Sequence, residues 1–465
     1  MLDPFCRARS RGVDAVQGRR PSAPRGPAFT RKRAAKARMM SLTVRFSAEI
    51  GATEKVSVTG QRCLWKHPGG RLLPLLPVVS LLLAAWTAQA TEGILLLGDD
   101  PVRVGRGGAA VAGAGDASWV TFNPAGLEGL DRRVEFGTSI IHSRATLDTN
   151  GIAEIPFSER MTDDEWNGFP GVGVVLPGEC GTFGLSLHIP TGAMVHFPQP
   201  RSWVGLFEGL NDRNLEFFQP RLTLGYARRL DSGWVLGLSV NGSISAARTD
   251  QVTPRLLASR GDFKWDTALG AGFGLGLLRH WDRWSFGAAL TSRQWSEGFD
   301  RYRDITPHTV DMPPTFQTGV GFKITPKVEI EIDYRFINWS DVRFFHEPSS
   351  GAGLGWNNQH GIMASVEWTA NPRWTFRAGY GHLTSAMNDD HLFGSTLVPS
   401  VANDHIGAGF TRVLGERSEI SLALAHLFKG SQSASGNGDI YAHLGRGSKS
   451  TLQADWLSLN YTLRF

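Results

Sequence analysis

Three carboxylates fall at every second position over Glu329, Glu331 and Asp333, and Arg335 completes the series. Paired carboxylates can do general acid–base work, and a set of carboxylate oxygens can hold a hard cation. A calcium site draws its ligands from a tight loop, whereas Ile330, Ile332 and Tyr334 separate these residues one by one. Side chains two apart on an extended chain share a face, so the series reads as the charged wall of a strand. Arg377 and Arg464 stand in similar alternating runs. With Arg335 they could meet the carboxylate of a ligand through charge-assisted hydrogen bonds, or form a structural network with the acids. The 13 His are scattered without a His-Glu-x-x-His spacing, and no Gly-x-Ser-x-Gly elbow occurs. Gly270, Gly272, Gly274 and Gly276 lack the strand–turn–helix setting of a phosphate loop and fit one close-packed face of a strand. The sequence therefore predicts no catalytic residue, no metal and no cofactor.

The elements that carry these residues have a period of two. Val328, Ile330, Ile332, Tyr334 and Phe336 alternate with the charged set, and Leu457, Leu459, Tyr461, Leu463 and Phe465 alternate with Ser458, Asn460, Thr462 and Arg464. Such alternation is a strand with one apolar and one polar face. Fourteen segments of this kind are expected, at 132–147, 169–177, 181–191, 214–230, 233–248, 263–280, 283–294, 314–324, 327–338, 359–370, 373–383, 403–414, 417–429 and 453–465. Short turns, as at Pro177–Gly181 and Leu230–Gly233, alternate with long polar loops near 148–168, 192–213, 249–262, 295–313, 339–358, 384–402 and 430–452. An even number of strands with strictly alternating links describes a 14-stranded antiparallel transmembrane β-barrel, all-β, with lipid outside and a polar lumen. Tyr226, Trp234, Trp281, Trp284, Trp368 and Trp374 near the short turns, with Trp295 and Trp339 at the other strand ends, are expected to form two interfacial girdles.

The front of the chain differs. Of the formal charge of +5, residues 1–71 hold +12, because they carry 16 Lys and Arg against 4 Asp and Glu; residues 72–90 are uncharged, leaving −7 for the rest. A basic nucleic-acid surface on the body thereby loses its main support, and no nucleic-acid partner is expected. Residues 1–71 read as a basic extension, disordered or mis-assigned, without hydrophobic periodicity. The apolar run Leu72–Trp86, shorter than the roughly 20 residues of a spanning helix, ends in Ala88-Gln89-Ala90 and reads as a signal peptide cleaved before Thr91. Three Cys in the whole chain exclude a disulfide scaffold.

Residues 91–131 lack alternation and are rich in small residues, with Gly105 and Gly108 in one run and Asn123, Pro124 and Ala125 in another. They precede the barrel at 132–465 and are long enough to plug it. The run from Gly105 to Leu127 resembles the N-terminal hatch of the long-chain fatty-acid transporter (FadL) and toluene-uptake family of outer-membrane proteins, whose Asn-Pro-Ala matches Asn123, Pro124 and Ala125. Pro313–Val342 and Gln359–Phe428, with its Arg377-x-Gly-Tyr380, resemble later hairpins of that family.

The resemblance implies passive uptake of hydrophobic molecules, long-chain fatty acids or aromatic hydrocarbons, across the outer membrane of a Gram-negative-type cell. In that family the solute passes a hatch and leaves sideways into membrane lipid through a gap at a kinked third strand. Here that strand is 181–191, and Pro190 and Gly192 are the candidates for the gap, since proline cannot donate to a ladder. The terminal Phe465 is similar to the signal read by the barrel-insertion machinery. A general porin for polar solutes is the alternative, and an outer-membrane hydrolase a remoter one. The loops 249–262 and 295–313 depart from the family, whose corresponding outer loops form an extended capture groove, and they leave that groove and its substrate range open here.

Overall fold

In the computed structural model the described residues are 92–98, 100–113, 115–149, 160–198, 213–249, 263–303, 306–438, 442–443 and 445–465. The basic extension, the signal segment and the cleavage point before Thr91 lie outside them, as does nearly all of the loop 249–262.

Seventeen strand segments form one sheet, and three pairs of segments are halves of interrupted strands, which leaves fourteen. They are β1 (Arg133–Asp148), β2 (Arg160–Gly178), β3 (Gly181–His188 and Gly192–Phe197), β4 (Arg213–Phe218 and Arg221–Arg229), β5 (Trp234–Thr249), β6 (Asp266–His280) and β7 (Trp284–Thr291 and Trp295–Ser296). The second half comprises β8 (Thr315–Thr325), β9 (Val328–Ile337), β10 (Gln359–Asn371), β11 (Trp374–Leu383), β12 (Asp404–Val413), β13 (Ser418–Ser433) and β14 (Lys449–Arg464). Each strand pairs antiparallel with the next. β1 closes on β14 from Arg133↔Arg464 to Asp148↔Lys449, so the sheet has no free edge there.

The burial pattern is the reverse of a water-soluble protein. Ile332 is 57% exposed and Leu222, Leu224, Leu238 and Val240 face outward, whereas Glu331 and Asp333 are each 1% exposed and Ser239, Thr223 and Asn460 are buried. Backbone polar groups satisfied in a closed ladder, with an apolar outer face, suit a hydrocarbon surround. Near the short turns Trp234 packs against Trp281, Trp284 against Phe322, and Trp374 against Phe376 and Phe410. Trp166, Trp265 and Trp295 lie exposed toward the other end.

Two expectations need correction. β2 begins at Arg160, not 169, so much of the expected loop 148–168 is strand. Trp339 is no girdle residue: it is wholly buried, 4.7 Å from Trp356 and 4.6 Å from Phe345 between ring centroids. A 3-10 turn over Trp339–Asp341 after β9 tucks it inward, and its indole donates to Gln359 at 2.9 Å.

β3 is the irregular strand. Its first half pairs with both β2 and β4. The β2–β3 ladder ends at Val172↔Leu187. Ile189, Pro190 and Thr191 interrupt the strand, and its second half pairs with β4. Among the described residues no ladder joins that second half to β2.

Candidate functional site

The segment from Glu92 to Leu130 runs inside the ring of strands and bonds to its inward-facing side chains. It contains two short helices, α1 (Pro101–Gly105) and α2 (Trp119–Phe122), and a 3-10 turn over Pro124–Gly129. Asp100 caps α1 by accepting the Arg103 N–H at 2.7 Å, with proline in the first turn where no donor is needed. Asn123 caps the 3-10 turn by accepting the Ala125 N–H at 3.2 Å, and its amide donates to the Val111 carbonyl at 2.8 Å. The Asn-Pro-Ala motif thus ties two parts of the segment together. It also lies against the wall: a β-carbon on Gly237 would meet the Ala125 nitrogen at 2.1 Å, and one on Gly276 the same atom at 2.6 Å. Glycine at both places is a condition of that close approach.

The charged wall on β9 holds this segment. Asp333 accepts the N–H groups of Ala110 and Val111 at 2.9 and 3.0 Å, and the Gln317 amide at 2.7 Å. Glu331 accepts the Ala112 N–H at 2.6 Å and pairs with Arg106 at 2.8 Å. Arg106 reaches Glu367 at 2.7 Å, and Arg377 holds the same carboxylate at 2.7 Å. Arg335 pairs with Glu92 at 2.5 Å. Glu135 accepts the Ala117 N–H at 3.1 Å. Burial pushes the Glu92 carboxyl up, against the opposing pull of Arg335 and Arg103. Asp116 is pushed up further, by burial first and then by the nearby Asp100 and Glu135 carboxylates.

Of the charged residues singled out in the sequence, Glu331, Asp333, Arg335 and Arg377 belong to this network. Glu329 is half-buried nearer the turn, beside Gly321. Arg464 shares the face of Asn460 and Thr462 and sits at the turn-side rim, half-buried and bonded to Glu419 at 2.6 Å. Gly105 and Gly108 both lie in the segment, buried. Phe465 is exposed at the outer wall, its N–H bonded to the Arg132 carbonyl at 3.2 Å. Sequence reasoning missed Arg106, Glu92, Glu135 and Glu367. A lone arginine in a run of Gly and Ala was the available signal for the first.

Pro190 and Gly192 fall at the interruption of β3, and the segment fills in there. The Leu96 N–H bonds the Pro190 carbonyl at 3.0 Å, and the Gly192 N–H bonds the Ile94 carbonyl at 3.0 Å. Across the unpaired stretch the His196 N–H reaches the Asp163 carboxylate at 3.1 Å, and its ring contacts Glu165 at 3.4 Å and Glu216 at 3.0 Å. Asp163, Glu165 and His196 bring three potential ligand atoms within 4.8 Å of one another. The ring nitrogens are engaged with Glu165 and Glu216, and Arg248 neutralises Glu216 at 2.7 Å, so the cluster is a hydrogen-bonded clasp. Toward the loop end, Ile94, Leu95, Leu96 and Leu97 enter one apolar cluster with Trp339, Phe345, Trp356, Leu392 and Leu397. The loop 295–313 adds Phe299, Tyr302, Val310 and Met312 to it.

Residues 305–465 match the family model described as outer membrane protein transport protein (OMPP1/FadL/TodX). No curated protein matches the sequence. Among solved structures, the toluene transporter TodX of P. putida superposes with a TM-score of 0.62 at 13% identity, covering 81% of this chain and 99% of that one. A FadL homologue of Pseudomonas aeruginosa gives 0.57 at 15%, covering 82% and 100%. The toluene transporter TbuX of Ralstonia pickettii gives 0.56 at 15%, covering 81% and 99%. At these identities the structures establish the fold, and the sequence match covers residues 305–465. The C-terminal third of the chain, residues 305–465, is thus similar to the OMPP1/FadL/TodX transport proteins, and the described barrel has the fold of outer-membrane transport channels.

Proposed function

We propose that the protein is a channel for passive uptake of hydrophobic molecules, long-chain fatty acids or aromatic hydrocarbons, across the outer membrane. Residues 92–131 act as its hatch, and the solute leaves sideways into lipid through the seam between β2 and the second half of β3. The observation that carries this reading is the break of β3 at Pro190, where the ladder to β2 ends and the hatch bonds in its place. An apolar cluster at the loop end supplies favourable burial to a greasy solute, about 25 cal/mol per Å² of apolar surface. A water-filled pore offers no such gain. The relatives described as toluene transporters support aromatic hydrocarbons as one substrate class. Export by the segment 72–90 and insertion read from Phe465 complete the reading.

The test is a bulky residue in the seam. Gly192→Trp should abolish uptake of labelled toluene and oleate by cells that depend on this protein, while the assembled barrel keeps its heat-modifiable mobility. Normal uptake by a correctly assembled variant would refute lateral exit. The general-porin reading predicts a large steady conductance in planar bilayers; a lumen held by the Arg106 and Asp333 bonds predicts little.

A further inference from the structure

We propose that Asn167 selects, among solutes leaving through the seam, those that carry a hydroxyl or un-ionised carboxyl group. The inference rests on the lateral-exit reading above and names the solute chemistry that the exit favours.

The β2–β3 ladder runs from Gly178↔Gly181 to Val172↔Leu187. Continued in that register, Asn167 stands opposite Gly192 and Asp163 opposite His196. The second pairing is met: the His196 N–H lands on the Asp163 carboxylate at 3.1 Å, a side chain bridging where a main-chain bond would lie in a closed ladder. The first agrees with Phe169, whose ring lies 3.4 Å from where a β-carbon on Gly192 would stand. The seam therefore extends from the last ladder pair to the clasp, about 30 Å at roughly 3.3 Å per residue. Gly171, Phe169, Asn167, Glu165 and Asp163 are the inward-facing residues of β2 along it. Glu165 is taken up by His196.

Asn167 is 2% exposed, and neither its amide nitrogen nor its amide oxygen has a partner among the described residues. The hydroxyl of Thr191, next to Gly192, is likewise buried and unpartnered. A buried amide with both atoms unpartnered leaves a donor and an acceptor open to water or to a polar group of a solute. An amide offers a donor and an acceptor side by side. A hydroxyl or a neutral carboxyl can satisfy both at once, and a hydrocarbon can satisfy neither. Beside it, the ring of Phe169 gives the apolar part of the same solute a surface. A site built to hydrogen-bond an oxygen discriminates against the analogue that lacks it.

The experiment compares uptake of benzyl alcohol and toluene by cells carrying the full chain, Asn167→Leu, Asn167→Ser or Gly192→Trp, each checked for heat-modifiable mobility. Asn167→Leu should lower the ratio of benzyl alcohol to toluene uptake about threefold to tenfold, the value of one hydrogen bond. Asn167→Ser should restore part of it. A ratio unmoved in Asn167→Leu, while Gly192→Trp stops both solutes, would overturn this proposal and leave lateral exit standing. Undiminished uptake of both solutes by Gly192→Trp would overturn the two together.

Discussion

Replacing Arg106 by methionine should free the hatch without opening the barrel. Arg106 is 2% exposed and is shared by Glu331 and Glu367. Breaking a buried pair by removing one partner costs about 3–5 kcal/mol, because the remaining charge stays buried and uncompensated. Here the loss is uneven. Glu367 keeps Arg377 at 2.7 Å, whereas Glu331, 1% exposed, keeps only neutral donors such as the Ala112 N–H. The cost therefore falls on one carboxylate and belongs near the lower end, about 3 kcal/mol. At about 1.4 kcal/mol per factor of ten, local opening of the segment becomes roughly a hundredfold more frequent. Amide hydrogen exchange of the purified barrel in detergent, followed by mass spectrometry over residues 104–113, reads this directly. The β9 and β10 ladder, continuous from Val328↔Trp368 to Ile337↔Gln359, should keep its protection. Adding Glu331→Gln to the variant should return part of the lost protection, since it removes the stranded charge. Exchange over 104–113 within threefold of the unmodified protein would refute the argument that this ion network holds the hatch.

Three further outcomes are expected. Because the Asp116 carboxyl is raised in the folded protein, the folded state keeps its proton to a higher pH than the released segment does. Hatch protection should therefore rise as pH falls through that raised value, and gain nothing more below the ordinary carboxylate range. Asp116→Asn should flatten this dependence in part, Glu92 shifting in the same direction; a profile unaltered by the substitution would count against it. Gly237→Val should displace the Asn-Pro-Ala turn, since even its β-carbon would fall 2.1 Å from the Ala125 nitrogen, and single-channel conductance should rise; an unchanged, silent channel contradicts the close approach. Deleting Phe465 should lower the amount of heat-modifiable barrel in cells several-fold while leaving transcript levels alone, and full assembly without it would remove its role as a signal.

The strand number was legible because the membrane imposes alternation: each outward position in the hydrocarbon must be apolar, and each inward one is free to be polar. The same rule explains the misreading of β2. Its outer end carries Asp164 outward, bonded to Arg144 and His142, at a level where lipid no longer dictates the outer face. Without lipid the alternation fades and strand reads as polar loop. Asn123, Pro124 and Ala125 were legible as a motif, and β9's carboxylates as a wall. What they hold was not, because Arg106 meets its partners 225 and 261 positions away along the chain. Trp339 misled for a simpler reason: a tryptophan after a strand marks a girdle only if the chain continues straight, and here it turns inward at once.

The closure of the barrel has a consequence for the order of events in its making. Ser139 of β1 bonds Ser458 of β14 at a separation of 319 residues, so the first strand to emerge is the last to be paired on one side. Glu135 on β1 takes both the hatch, through the Ala117 N–H, and Asn460 of β14, at 2.9 Å. One carboxylate thus joins the beginning, the middle of the lumen and the end. That carboxylate can hold both partners only when β14 lies beside β1, so the three-way contact is completed only when the ring closes.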